Sequence, residues 1–491
     1  MSRALAFLLL AFLAQLGGCD RHEEARDPFA TPPARALAPE EALRVYAALE
    51  SGGDALGPAL EEVVARGDHR FVGVLIEALR ASQIGLLDGR HYNAKVVALE
   101  RLSGQRFGAD WFAWVRWYQG TSLAPPPGFE DFKGRLLGRA APDLATFFAE
   151  GAPRLVRSEE ILWSGAPPER SDFASGPGHE AAESASLHPG ELVVGVVLGG
   201  EARAYPLRWL DWHEVANDRL GGRAIAVAWC GFCASAMAFS AEDAPGGEAR
   251  TFGASGLVQR GVRLMYDRET RTLWNELTGL PARGAGATPG ARLAPLPSLL
   301  TTWGAWRERN PETTVLALGT AERSGDRVSP YARYHTSAET VFPVALARQE
   351  LAAKVQVYGL EGGLHAKAWP LDALVAERVV NDEVGGYDVV LVATRGRIEL
   401  EATHPERGRI RFSPGAEVRA YARPVAAFRP GDAPDVLLDP EGHSWRAGDA
   451  ELLGPAGARA PRLPGTVAYW FAWQAFHPGG EIGGNLEPSS R

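Results

Sequence analysis

The sequence predicts an α+β protein, with a duplicated, pseudo-two-fold, β-rich body preceded by a small all-α helical-repeat region. Three observations predict it. Residues 193–230 and 357–394 align without a gap at an offset of 164, with 13 of 38 positions identical. From Pro39 to Tyr118 apolar residues recur at helical spacing. Within the aligned segments they gather instead into short β-branched runs bounded by Gly-Gly.

The chain has 491 residues, 46% of them hydrophobic, which is too much for one ordinary core. Its net charge of −9 leaves no basic footprint, so no nucleic-acid partner is expected. At the N-terminus Arg3 precedes the apolar run ALAFLLLAFLAQL, which suits a signal h-region and is too short for a membrane span. The ending LGGC at 16–19 resembles the bacterial lipoprotein signal. That resemblance implies a signal peptide over 1–19, lipidation of Cys19, and an extracytoplasmic body held to the membrane by its lipid anchor. Asp20 resembles the signal for inner-membrane retention.

Residues 20–38 are polar and proline-bearing, a flexible spacer. Residues 39–124 form the helical scaffold. Pro39 with Glu40 and Glu41 marks its start, because proline fits the first turn and acid complements the helix dipole. Stripes at Leu60, Val63 and Val64, at Phe71, Leu75 and Leu79, and at Val96, Leu99 and Leu102 give its inner faces. Trp111, Trp114, Trp117 and Tyr118 recur at the same spacing and read as a packed face. These short helices resemble HEAT-like repeats. Residues 125–189 make a connector that wraps the body, followed by unit 1 (190–320), a bridge (321–353), unit 2 (354–482) and a tail (483–491).

Each unit reads as an extended run, a Gly-Gly turn, ARAYPL or AKAWPL, a short helix closing at Asn-Asp-x-x-Gly-Gly, and a strand (AIAVAW or DVVLVA) apolar enough for burial on both faces. The glycines, the X-Pro bend and Asn217-Asp218/Asn381-Asp382 persist in both copies, whereas the reactive side chains do not. His213 becomes Glu377, Glu214 becomes Arg378 and Cys230 becomes Thr394, and no second Cys-x-x-Cys follows. This asymmetry predicts one functional unit and one supporting unit.

Cys230 and Cys233 are the thiols left once Cys19 is set aside. They support three readings. With His213 they offer three soft or borderline ligands for Cu or Zn, with Glu214 as a fourth ligand or a base. As a Trp-Cys-Gly-x-Cys pair they suit thiol-disulfide exchange, with Cys230, Cys233 and Glu214 as candidate catalytic residues. As an exported pair they can simply form a structural bond, leaving a scaffold that docks an envelope protein or small molecule. Arg260, Tyr266, Asp267 and Trp274 follow in the same unit, and Tyr331, Tyr334 and His335 lie in the bridge, so these seven are supporting candidates. Asp267 and Trp274 recur as Asp439 and Trp445, which favours a turn and its packing aromatic. No phosphate loop, nucleotide fingerprint, serine elbow or HExxH is present, so no nucleotide cofactor is expected. Neither a reaction nor a substrate follows from these residues.

The run AYPLRWLDWHEVANDRLGG, then WCGFC, ASGLVQRGVRLMYDRETRTLWNE, SPYARYHTSAETVFPVALARQELAAKVQVYGLEGG and YWFAWQAFHP resembles the bacterial DUF3179 family over roughly 150–482. The resemblance implies a two-unit β-rich domain, often exported, and carries no reaction with it. This chain has Trp229-Cys230-Gly231-Phe232-Cys233-Ala234 where the family pattern is nearer YCPLCG.

Overall fold

The computed structural model describes Phe29 and residues 33–168, 178–242, 248–317, 329–404 and 408–484. The expected signal segment with Cys19, most of the expected spacer and the end of the tail lie outside these residues. No helix among the described residues is long and apolar enough to cross a membrane.

Among the described residues six helices come first: α1 (Pro39–Ser51), α2 (Leu56–Arg66), α3 (Phe71–Gln83), α4 (Tyr92–Ser103), α5 (Trp111–Gln119) and α6 (Phe129–Gly138). Pro39 does occupy the first turn of α1, and the Glu41 carboxylate accepts the Ala38 N–H at 2.8 Å. The stripes named above point inward: Leu60, Val63, Phe71, Leu75, Leu79 and Leu99 are at most 3% exposed. Trp111, Trp114 and Tyr118 are buried in the same cluster, as a packed aromatic face should be. A short α7 (Pro142–Ala145) follows. The connector then contributes β1 (Ile161–Trp163) and β2 (His179–Ala181).

Unit 1 runs β3 (Leu192–Leu198), β4 (Glu201–Pro206), α8 (Leu207–His213), β5 (Val215–Leu220), β6 (Arg223–Cys230), β7 (Ser235–Ser240), β8 (Phe252–Gln259), β9 (Val262–Asp267), β10 (Leu273–Asn275), β11 (Pro281–Arg283), β12 (Pro295–Leu296), β13 (Ser298–Thr302), α9 (Trp303–Arg309) and β14 (Thr314–Leu316). Its sheets are β12-β7-β6-β5, β13-β3-β4-β14-β2 and β1-β8-β9-β10-β11, so the connector adds an edge strand to two of them. After the bridge helix α10 (Ala332–His335), unit 2 repeats the opening as β15 (Gln356–Gly362), β16 (His365–Pro370), α11 (Leu371–Glu377), β17 (Val379–Val384) and β18 (Tyr387–Arg397). A hairpin, β19 (Leu400–His404) and β20 (Gly408–Phe412), intervenes before β21 (Ala416–Ala422). Short strands β22 to β26 lie between 429 and 463, and β27 (Thr466–Tyr469), α12 (Trp470–Phe476) and β28 (Glu481–Ile482) close the unit.

The duplication predicted from the 164-residue offset is visible atom by atom. Gly195 on β3 sits under the Trp306 ring, where an added Cβ would come within 2.3 Å, and Gly359 on β15 sits under Trp473 with 2.2 Å. Asn217 and Asn381 each exchange two hydrogen bonds with one backbone position, Phe252 and Phe428. β14 pairs parallel with β4, and β28 parallel with β16. Across the pseudo-axis β27 packs on β7 while β13 packs on β21, so each unit's closing strand lies against the other unit. Tyr469, Phe471 and Ala472 of unit 2 complete the unit 1 core around Val194, Ile225 and Val227.

One expectation is overturned. Asn217-Asp218 does not end a helix: α8 stops at His213, and both residues lie in β5. Polar side chains there read as a helix end, but Asn217 mimics backbone toward Phe252, and Asp218 accepts from Tyr205 and Arg203 at 2.7 Å. Gly221-Gly222 does need positive φ (55° and 77°), but as the two-residue turn between β5 and β6, the conformation that matches strand twist in a hairpin.

Candidate functional site

Strand β6 sets the site by alternation. Ile225, Val227 and Trp229 point into the core shared with unit 2, while Ala224, Ala226 and Ala228 face Met237, Phe239 and Trp274 on the other side. The strand ends at Cys230, which pairs with Ser235 of β7, and the turn between them closes with Cys233 N–H donating to the Cys230 carbonyl at 3.2 Å. Ala234 takes the left-handed position of that turn (φ 53°), where glycine would be relaxed. The tight turn therefore forms without the family-like glycine. It brings the two Cα atoms to 5.5 Å and joins the sulfurs as a Cys230–Cys233 disulfide, buried to 1% and 0% exposure.

Charge is buried beside the turn. After α8 the chain reverses at Glu214 with φ 65°, and Arg378 at the same place in unit 2 has φ 64°, so the fold imposes the strain in both copies. The Glu214 carboxylate pairs with Arg263 from β9, whose guanidinium also donates to the Tyr331 hydroxyl and lies 4.5 Å over the Phe232 ring. Glu276, just past β10, is 1% exposed, and neither carboxylate oxygen has a hydrogen-bond partner. Burial, then the neighbouring Glu214 charge, hold its carboxyl well above the usual carboxylate range. Tyr331 packs on Gly231, where a Cβ would meet the ring at 2.5 Å, and Tyr334 Oη donates to the Phe232 carbonyl at 2.7 Å. The two residues between the cysteines are thus covered by aromatic rings from the bridge and flanked by an acid–guanidinium cluster.

A cavity of about 410 Å³ opens on the other side of Trp229, between α8 and the β19–β20 hairpin, with Asp211, Ser329, His335 and Phe412 in its wall. Asp211 accepts from Trp229 Nε1 at 2.8 Å, and burial raises its carboxyl to about 6 against the bonds from Ser329 and Trp229. His335 Nδ1 lies 2.8 Å from Tyr469 Oη, and burial with the nearby Lys354 charge lowers it to about 3. A base whose folded-state pKa is depressed contributes stability above its unfolded value near 6.5, which is lost as pH falls toward 3. His335→Gln should therefore flatten the fall in stability between pH 6.5 and 5 by about 1–2 kcal/mol, read from denaturant midpoints across that window. Parallel pH profiles in wild type and variant would show that His335 is not the group responsible.

The predicted residues divide clearly. Cys230, Cys233, Glu214, Tyr331 and Tyr334 meet at the turn, and His335 joins through Tyr469. His213 instead stacks its ring on Trp209, with centroids 4.3 Å apart. With the sulfurs bonded to each other neither is a thiolate, so the ligand set His213, Cys230, Cys233 is not assembled in this state. The His/Asp/Glu group close enough for a metal among the described residues is a different one, Asp439, Glu441 and His443, and its Asp439 already accepts from Trp445 and His443. Asp267 makes a turn with Thr270 and accepts from Trp274 Nε1 at 2.7 Å, the bond Asp439 and Trp445 repeat at 3.1 Å. Tyr266 packs on Phe147, and Arg260 ties Glu160 of the connector to the Ala475 carbonyl of α12. These four support the fold.

Sequence reasoning missed Asp211, Arg263 and Glu276. The copy-to-copy comparison could have found the last two. Glu276 N–H donates to the Arg263 carbonyl as Ala447 N–H donates to the Asp435 carbonyl, so unit 2 replaces Arg263 by Asp435 and Glu276 by Ala447. The gaps between β7 and β10 hid that register.

Fold and site together define a class: duplicated α+β proteins in which one unit carries a buried disulfide turn beside a Glu-Arg-Glu cluster and the twin unit has no such turn among the described residues. The chain belongs to the DUF3179 family, described as protein of unknown function, whose model matches residues 174–480. No curated protein and no solved structure matches the chain.

Proposed function

We propose that unit 1 is a thiol-disulfide redox centre of an extracytoplasmic, lipid-anchored protein, with unit 2 as its structural support. The observation that carries this reading is the Cys230–Cys233 bond set against a buried Glu214–Arg263–Glu276 cluster that unit 2 does not repeat. A bond that only held the turn would not need unpaired acid beside it, and buried acid is costly to keep. Exchange with a partner dithiol balances simply. The partner thiolate attacks one sulfur, a mixed disulfide forms, the partner's second thiol displaces it, and two electrons and two protons pass to Cys230 and Cys233. Because both sulfurs are buried, the turn or the side chains packed on it must move for a partner to reach them.

Equilibration with glutathione and dithiothreitol buffers, trapped by alkylation and read by mass spectrometry, tests this. A two-electron midpoint above about −300 mV supports the redox reading, whereas a bond that stays oxidised below that value is structural. The soft-metal reading belongs to the reduced protein. About one Cu or Zn per chain, lost in Cys230→Ala, would move the assignment to a site of Cys230, Cys233 and a rotated His213. The anchor is tested by Cys19→Ala, which should release the protein from membranes.

A further inference from the structure

The place in unit 2 that corresponds to the disulfide turn is an open cleft. At the 164-residue offset, Trp229, Cys230, Gly231, Phe232 and Cys233 stand opposite Ala393, Thr394, Arg395, Gly396 and Arg397. Trp229 N–H donates to the Glu214 carbonyl at 2.9 Å and Ala393 N–H to that of Arg378 at 2.8 Å, so the backbones match up to this point. Two large rings have become alanine and glycine. Both small residues line a cleft of about 870 Å³. Unit 2 does not turn back within a few residues as unit 1 does, but runs on through the β19–β20 hairpin, and among the described residues no ring equivalent to Tyr331 lines the cleft.

The same substitutions change the charge. Arg309, Arg378, Arg395, Arg397 and Arg419 all line the cleft. Carboxylates are present too, but the inner ones are engaged. Glu417 lies 3.2 Å from both Thr394 Oγ1 and Arg309 Nη1, and Asp449 is held at 2.6 Å by Arg419. Asp435 faces Arg446 at 3.6 Å. Three cations are left loosely matched. Arg378 donates to the Ala433 carbonyl, Arg397 is 3.6 Å from the well-exposed Asp372, and Arg395 is shared between Glu417 at 3.6 Å and the exposed Glu308 at 3.7 Å. Arg309 Nη2 is buried without any hydrogen-bond partner. Planar guanidinium groups around a polar cleft are matched by an oxyanion, which can accept from several of them at once.

From this geometry we infer that unit 2 binds a small multivalent oxyanion, phosphate- or carboxylate-bearing, in the cleft where unit 1 carries its disulfide. The site does not depend on the redox reading, because none of its residues belongs to the turn. Calorimetric titration of the purified protein with inorganic pyrophosphate, and separately with citrate, at matched ionic strength tests it. Saturable one-site binding is expected, weakened about tenfold or more in Arg378→Gln and in Arg397→Gln. It should be unchanged in Arg44→Gln, which lies on α1, and in a Cys230→Ser, Cys233→Ser variant. Binding of pyrophosphate alone assigns a phosphate ligand, and binding of citrate alone a carboxylate. No saturable binding of either at millimolar concentration overturns the inference, as does binding undiminished in both arginine variants.

Discussion

Replacing Arg263 by alanine is expected to cost the folded protein about 3–5 kcal/mol, the range for removing one partner of a buried ion pair. Arg263 is 6% exposed, and its guanidinium is what offsets Glu214, at 8%, and Glu276, at 1%. Alanine would leave two acids close together in an apolar setting and would remove the cation stacked on Phe232. Guanidinium chloride unfolding of wild type and variant measures the loss. Adding Glu276→Gln to the variant should recover part of it by removing a buried acid that can be kept only by holding it protonated beside Glu214. A loss below about 1 kcal/mol, or no recovery in the double variant, would mean that the cluster is not buried charge of the kind described.

The second large effect falls where the backbone of a strand passes directly under a buried ring. Gly195→Ala would place a Cβ 2.3 Å from the Trp306 ring, which is fully buried and anchored by Nε1 donating to Thr313 Oγ1 at 2.9 Å. With no room for the ring to yield, the cost should reach about 3 kcal/mol, the upper end for overpacking a core. Gly359→Ala against Trp473 should cost a similar amount, since the two positions are the same contact in the two units. Thermal unfolding of both variants checks the pair. A large loss at one and none at the other would break the equivalence of the units.

Much of the architecture was legible. The helical stripes, Pro39 as a first-turn residue and the aromatic face of α5 all follow from spacing and local chemistry, and the structure agrees. The duplication was legible because glycines under tryptophans and paired asparagines cannot be exchanged without steric or hydrogen-bonding cost, so both copies kept them. What failed was local. Asn217-Asp218 carries the signature of a helix end, yet its hydrogen bonds go to Phe252, Tyr205 and Arg203, partners the segment itself does not contain.

The candidate site was half legible for the same reason. Cys230 and Cys233 announce themselves by spacing, and their disulfide follows from a turn closed within six residues. Glu214, Arg263 and Glu276 lie on three separate segments, and nothing local to any of them predicts that they meet. Sequence alone therefore determined the α+β class, the repeat and the thiol pair, because each rests on contacts between near neighbours or on a comparison the chain makes with itself. Tertiary structure decided which charges are buried, and that one unit closes over its turn while the other opens as a cleft. Those outcomes depend on side chains far apart in the chain competing for one volume, and local sequence does not encode that competition.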